Sequence, residues 1–336
     1  MSTMTPQQVT DLVISTLERC HTSRENAQAV ARALLGAELA GQAGHGLRRM
    51  PSYCAQALSG KVDGMAEPVA QEMRPGALRI DAANGFAYPA IEKALEWLPK
   101  AARTNGIAMA GIHRSHHCGV AGITVEALAQ KGLIGLLFAN APAAIAPWGG
   151  KKPLFGTDPI AFAAPLADGE PVVVDISLSK VARGKIMAAE QQGKPIPEGW
   201  ALDADGNPTT DPSAAMKGTM VPMGDAKGTA LAIMVELLCA GLTGANYGYE
   251  ATSFFDADGQ APGTGQIIIA IDPSAFGDHA LARFSVLAEA IEGMDGTRLP
   301  GRRRQALSAE LEANGIEVDD ALLQQIEALG RAEATS

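Results

Sequence analysis

The sequence predicts a mixed α/β fold, a sheet with helices packed on it, from three observations. Between residues 77 and 140 the patterns run strand, helix, strand, helix, strand, the order that builds a sheet with crossover helices. The short apolar runs PIAFAAP (159–165), PVVVDIS (171–177) and GQIIIAID (265–272) read as further buried strands. Helical patterns stand at both chain ends and are expected to pack together.

The elements follow in order. Thr5-Pro6-Gln7-Gln8 has the form of a capping box with proline at the first helical position. Val9, Leu12, Val13 and Leu17 then share one helical face. Thr22-Ser23-Arg24-Glu25 starts a second helix in the same way, running through Val30 and Leu34 toward Leu39. ALRIDAANGFAYPA reads as a strand, a turn and a helix start with Pro89 at its front, and Ile91, Ala94, Leu95 and Leu98 form its apolar stripe. Asn105-Gly106 turns the chain into a buried strand, IAMAGI (107–112), followed by the loop HRSHHCGVAG (113–122). A helix through Val125 and Leu128 ends near Gly132, and LIGLLFAN (133–140) is the next strand. Residues 190–223, rich in Gly, Pro and Asp, read as an ordered loop. The apolar helix TALAIMVELLCAGL (229–242) is closed by Gly244, and a tail helix starts at Asp319-Asp320.

Composition narrows the function classes. The chain has 336 residues, 47% hydrophobic and 19% charged, a soluble globular balance with room for one large or two to three small domains. A net charge of −10 argues against nucleic acid as a partner. No apolar run reaches the roughly eighteen residues of a transmembrane helix, and MSTMTPQQVT does not read as a signal peptide. The four cysteines are scattered, as free thiols in a reducing, cytoplasmic compartment would be. There is no GxGxxG between strand and helix, no GxxxxGK[ST], no HExxH and no GxSxG. GQAGHG superficially resembles a phosphate loop but follows a helix.

Four stretches carry candidate chemistry. In AGQAGHGLRRMPSYC (40–54), His45 sits between two glycines on a loop, where an imidazole can reach a cleft and exchange a proton near neutral pH. The bland alternative is a surface histidine in a turn. Arg49 offers a bidentate fork for a carboxylate, or is a solvated arginine at the next helix start. In HRSHHCGVAG, His113, His116, His117 and Cys118 are dense enough for a metal, but adjacent histidines rarely ligate one ion together and no second ligand cluster is evident. No metal is expected there. An imidazole facing substrate or nicotinamide is preferred, because the stretch follows a buried strand and precedes a helix. In VVVDISLSKVARGK (172–185), Asp175 ends a strand while Ser177, Ser179 and Lys180 can bind phosphate or ribose; a plain strand-to-loop junction is the alternative. In VPMGDAKGTALAIMVELL (221–238), a Gly-x-x-Lys-Gly turn at a helix start places backbone N–H groups beside Lys227, fit for an anion, unless Asp225 simply caps the helix.

Taken together these stretches resemble the second malate/L-lactate dehydrogenase family, a family of NAD- or NADP-dependent enzymes without a Rossmann fingerprint. The likeness runs from about residue 5 to 330. It is carried by GHGLRRMPSY, NAPAAIAPWGG, FGTDPIAFAAP, DISLSKVARGK, IPEGWALDADGNPTTDP, PMGDAKG and Leu299-Pro300-Gly301, all in the family's order.

The resemblance implies a malate/L-lactate dehydrogenase-like fold distinct from Rossmann, with a mixed sheet, flanking helices and a homodimer. It implies a helical substrate and dimer domain from residues 1–74 with 275–336, and an NAD(P)-binding domain over 75–274 that includes the 190–223 insert. His45 would be the acid for hydride chemistry at C2 of a small cyclic imino acid, with a 2-oxo or 2-hydroxy acid dehydrogenase, or a non-catalytic metabolite-binding protein on the same scaffold, as the alternatives. Arg49 would take the carboxylate, with Tyr53 and Asn140 also lining the substrate site. His117 would face substrate or nicotinamide. Asp175, Ser177, Ser179, Lys180, Lys227 and the Gly301-Arg302-Arg303 turn would contact the cofactor, NADPH or NADH, although Asp175 could instead orient His45. Three positions depart from the family pattern: Gly44 replaces a serine, Asp158 an asparagine, and Ala226 an aromatic or histidine. Within the family, ALRIDAANGFAYPAI, Ser115-His116-His117, PLFGTDPIAF and MVELLCAGLTGAN are most similar to the Δ1-piperideine-2-carboxylate/Δ1-pyrroline-2-carboxylate reductases. YGYEATSFFDADGQAPGTGQ is equally similar to the sulfolactate branch.

Overall fold

The computed structural model describes residues 1–331. The chain opens with helices α1 (Pro6–Arg19), α2 (Arg24–Leu39) and α3 (Met50–Ser59). Both halves of the expected capping box are present: Thr5 accepts from the Gln8 N–H, and Gln8 accepts from the Thr5 N–H. At α2 the cap is Ser23, which accepts from Asn26, rather than Thr22 one residue earlier.

The main sheet has seven strands, numbered here in chain order: β1 (Val69–Arg74), β2 (Ala77–Asp81), β3 (Ile107–Ser115), β4 (Ile134–Ala139), β5 (Ile160–Ala164), β6 (Val172–Ile176) and β7 (Thr264–Ile271). Their spatial order is β1-β2-β3-β7-β4-β5-β6. Helix α4 (Ala87–Asn105) is the crossover between the parallel pair β2 and β3. After helix α5 (Ala121–Ala129), β4 does not pair with β3, because β7 enters between them antiparallel to both. The sheet is therefore mixed. The N-terminal side of the expected boundary at residue 74 is strand β1, hydrogen-bonded to β2 within this sheet.

Residues 190–223 are more structured than a loop. After helix α6 (Arg183–Gln191), the pairs Ala201–Leu202, Pro208–Thr209 and Thr219–Met220 form a three-stranded sheet around helix α7 (Pro212–Lys217). Ile196, Ala201, Ala215 and Met220 join a core with Val235, Cys239 and Ile267. Helix α8 (Ala226–Glu236) continues as a π turn over Leu237–Gly241, and Gly244 has the positive φ of a helix stop (77°). Gly265 of β7 lies so close to the Cys239 carbonyl that any Cβ there would collide with it.

The chain returns through helices α9 (Ala280–Glu292), α10 (Arg302–Asn314) and α11 (Asp320–Ala328). The ends pack together as expected: Ser2–Met4 pairs antiparallel with Ile316–Val318, and Ile326 of α11 enters the core of Val9, Val13 and Leu17. Among the described residues no helix is long and apolar enough to cross a membrane.

Candidate active site

His45 closes a short 3₁₀ turn, Ala43–His45, just beyond α2, and Gly46 joins it to a second turn, Leu47–Arg49. The half-buried Glu38 carboxylate of α2 fixes this loop by accepting the Leu47 N–H at 2.6 Å. Gly46 lies against the same carboxylate, in space that a Cβ would claim.

His116 and His117 are delivered by a β-bulge. Thr264 pairs with Ser115, but Gln266 pairs with Ile112, so β3 carries one extra residue near Arg114, which has positive φ (49°). The bulge re-aims the chain toward α3. His117 Nε2 then lies 2.9 Å from His45 Nδ1, with the two rings nearly parallel (7°). Behind it, His117 Nδ1 is 2.7 Å from the Tyr53 hydroxyl, which is 2.9 Å from the Tyr88 hydroxyl. His116 turns the other way and pairs with Gln56 Oε1 at 2.9 Å.

Arg49 is buried beside His45. Its Nε donates to the Gly44 carbonyl (2.8 Å), and its Cζ lies 4.5 Å from the centre of the Phe255 ring. Its NH1 is buried with no hydrogen-bond partner among the described residues. An unpaired buried guanidinium nitrogen is costly, and an anionic ligand would satisfy it.

Burial sets the charge states. It lowers the His45 pKa to about 4 and that of His116 to about 3, with the Arg49 charge adding to both; His117 is pushed well below its ordinary value by the same two causes. All three imidazoles are neutral near pH 7. Burial raises the Tyr53 hydroxyl to about 12, while the Arg49 charge and the Tyr88 hydrogen bond oppose it. Burial also raises the Cys118 thiol to about 12, which leaves it an unreactive neutral group.

Several expected site residues have their polar atoms already engaged within the protein. Tyr53 is fully buried behind His117 and presents no hydroxyl to a substrate opening. Asn140 is also buried and committed: its Nδ2 donates to Glu236 and the Asn246 carbonyl, and its Oδ1 accepts the Gly265 N–H. Arg302 is tied to Glu292 and the Glu170 carbonyl, whereas Arg303 is exposed.

Asp175 keeps solvent access at the end of β6, but protein crowds its carboxylate. Its Oδ2 accepts the Gly122 N–H at the start of α5 (2.8 Å). Desolvation raises its pKa, opposed by that N–H and by Arg304. Among the described residues no hydrogen bond joins Asp175 to His45, whose ring partner is His117.

Ser177 and Ser179 bond each other (2.7 Å), and Ser179 donates to the Val181 carbonyl, so their hydroxyls are partly spent inside the protein. Lys180 and Lys227 are exposed. Asp225 occupies the N-cap position of α8 with φ 58° but makes no side-chain cap, so simple capping does not account for this turn. Gly301, at φ 90°, packs on β6 where a Cβ would meet Val173 at 3.1 Å.

Sequence patterns did not single out Tyr88, Glu38, Phe255 or Arg304. Arg304 makes an ion pair with Glu126 of α5 (2.8 Å). Tyr88 sits in a stretch legible only as a helix start. Glu38 and Gly46 are eight positions apart, a separation with no signature on a chain that leaves its helix between them.

The mixed, non-Rossmann sheet agrees with the comparison to known proteins. A family model described as malate/L-lactate dehydrogenase matches residues 4–327. The chain belongs to the malate/L-lactate dehydrogenase family. It is accordingly an oxidoreductase. A (2R)-3-sulfolactate dehydrogenase (NADP(+)) from Chromohalobacter salexigens is 50% identical over 94% of this chain and 95% of the relative. A Δ1-pyrroline-2-carboxylate/Δ1-piperideine-2-carboxylate reductase from Pseudomonas putida is 42% identical over 90% of each chain. The solved structure of the Δ1-piperideine-2-carboxylate reductase from Pseudomonas syringae superposes with a TM-score of 0.93 at 39% identity, covering 98% of this chain and 100% of that one.

Proposed function

We propose that this member of the malate/L-lactate dehydrogenase family transfers hydride between NADP(H) and C2 of a small 2-oxo or 2-hydroxy carboxylate, with 3-sulfolactate as the first substrate to test. The carrying observation is the pairing of neutral His45 with the buried, unpartnered NH1 of Arg49. The 50% identity to a sulfolactate dehydrogenase supports the substrate. Reduction of cyclic Δ1-piperideine-2-carboxylate or Δ1-pyrroline-2-carboxylate is the second reading, supported by the 0.93 superposition and by the 42% identical relative.

The residues fit a dinucleotide. The first turn of α8 has no side-chain cap and carries the exposed Lys227, an arrangement suited to phosphate. Lys180, Ser177, Ser179 and the Gly301 turn are further proposed contacts. When bound, the nicotinamide supplies or accepts the hydride.

The protein does the rest. Arg49 holds the carboxylate and so orients C2. His45 Nε2, which has no hydrogen-bond partner among the described residues, meets the substituent on C2 and holds the proton exchanged there. A 2-oxo acid needs that proton as charge builds on oxygen. A cyclic imine brings its own on nitrogen and needs His45 less. A homodimer is part of the same reading.

A panel of 3-sulfopyruvate, pyruvate, oxaloacetate and the two cyclic imino acids, each with NADPH and NADH, tests the proposal. Oxidation of neither cofactor with any of them would sink it. His45→Ala should reduce turnover of a 2-oxo acid by roughly 10²–10⁴.

A further inference from the structure

We propose that Tyr53 and Tyr88 are positioning residues that act through His117, fixing the proton on the outward nitrogen of His45 and replenishing it from behind. The inference rests on the reading of His45 as the proton donor.

The direction of the chain follows from counting donors. The Tyr88 hydroxyl is buried, and its one hydrogen-bond partner among the described residues is Tyr53. A buried O–H that fails to donate is costly, so Tyr88 donates to the Tyr53 oxygen. Tyr53 must then spend its own proton on His117 Nδ1, 2.7 Å away. A neutral His117 that accepts at Nδ1 carries its proton on Nε2 and donates it to His45 Nδ1 at 2.9 Å. A neutral His45 that accepts at Nδ1 carries its proton on Nε2, facing the substrate. Gly44 has no side chain to hold the ring, and among the described residues the bond to His117 is the one hydrogen bond its imidazole makes.

Burial keeps both imidazoles neutral and both phenols protonated. The same bonds let the proton be replaced as it leaves. When His45 Nε2 protonates the oxygen formed at C2, the His117 Nε2 proton moves to His45 Nδ1. The Tyr53 proton moves to His117 Nδ1. The negative charge then rests on the Tyr53 oxygen, less basic than the alkoxide just neutralised, with Tyr88 donating to it and Arg49 nearby. After product leaves, a solvent proton returns along the same path.

The test combines kinetics with ¹⁵N NMR of the histidine side chains. Tyr53→Phe should lower kcat for a 2-oxo acid about ten-fold or more. Tyr88→Phe should lower it roughly 3- to 10-fold, the scale of one neutral hydrogen bond. KM should stay near the wild-type value in both, as Arg49 still binds the carboxylate. In the wild type the spectra should show His117 protonated on Nε2 and His45 on Nε2, and Tyr88→Phe should mix the tautomers. A His117 protonated on Nδ1 in the wild type, or wild-type kcat in both variants, overturns the proposal. His45→Gln separates the two ideas: its inactivity beside fully active tyrosine variants removes only the relay, while its full activity removes the donor role itself. If a variant fails to fold, the wild-type spectrum still decides.

Discussion

Asp158 is fully buried with φ 40°, and neither carboxylate oxygen has a hydrogen-bond partner among the described residues. Burial and the Glu236 carboxylate push its pKa well above the ordinary 3.8; the nearby N–H groups of Ala141, Asp158 and Gly156 oppose this without reaching hydrogen-bond geometry. The folded protein thus keeps a proton that the unfolded chain releases above its ordinary value. Stability from this group is full at low pH and falls as pH rises through the window up to the raised folded value. Asparagine, the residue expected here from the family pattern, has no charge to suppress. Asp158→Asn should therefore stabilise the protein near pH 8 by on the order of 1–3 kcal/mol, the proton-linkage cost that an uncharged asparagine does not carry, with little change near pH 4. Thermal unfolding at both pH values checks this, and a variant no more stable than wild type at pH 8 would refute it.

At the scale of elements, periodicity and punctuation revealed what was long. α1 with its capping box, α4, β4 and the apolar β7 all stand near their expected positions. The small sheet of residues 201–220 escaped because two-residue strands carry no period. The insertion of β7 between β3 and β4 escaped because strand order is set by long-range pairing. At the site, the sequence marked His45, Arg49 and His117, which the fold brings together. It also marked Asn140 and Arg302, whose polar atoms are spent on Glu236 and Glu292; residue type alone does not reveal who occupies a side chain.

The His45 loop gives this scale its own prediction. In Gly46→Ala the new methyl displaces the Glu38 carboxylate, which can swing away only by giving up the Leu47 N–H. The expected cost is about 1 kcal/mol of stability, with a fall in kcat as His45 loses its register against His117. Parallel Tm and turnover measurements decide it, and wild-type values of both would show that Glu38 does not set this loop.

At the scale of the whole molecule, the apolar surface is uneven. Ile233, Met234, Leu237 and Leu242 are exposed along α8 and its π turn, with Leu237 57% open to solvent. The opposite face of the same helix, through Ala232, Val235 and Cys239, is buried in the core below the sheet. A helix apolar on both faces belongs in an interior, and here one face is left uncovered by the described residues. We propose a second copy of the chain as the cover, in the homodimer that the family resemblance implies. Leu237→Asp would place a charge in that contact, where desolvation without a partner is costly. Sedimentation should find the wild type as a dimer and the variant shifted to monomer, with its fold intact because the side chain leaves the core untouched. A monomeric wild type, or a variant that remains as dimeric as the wild type at the same concentration, would exclude this face as the dimer contact.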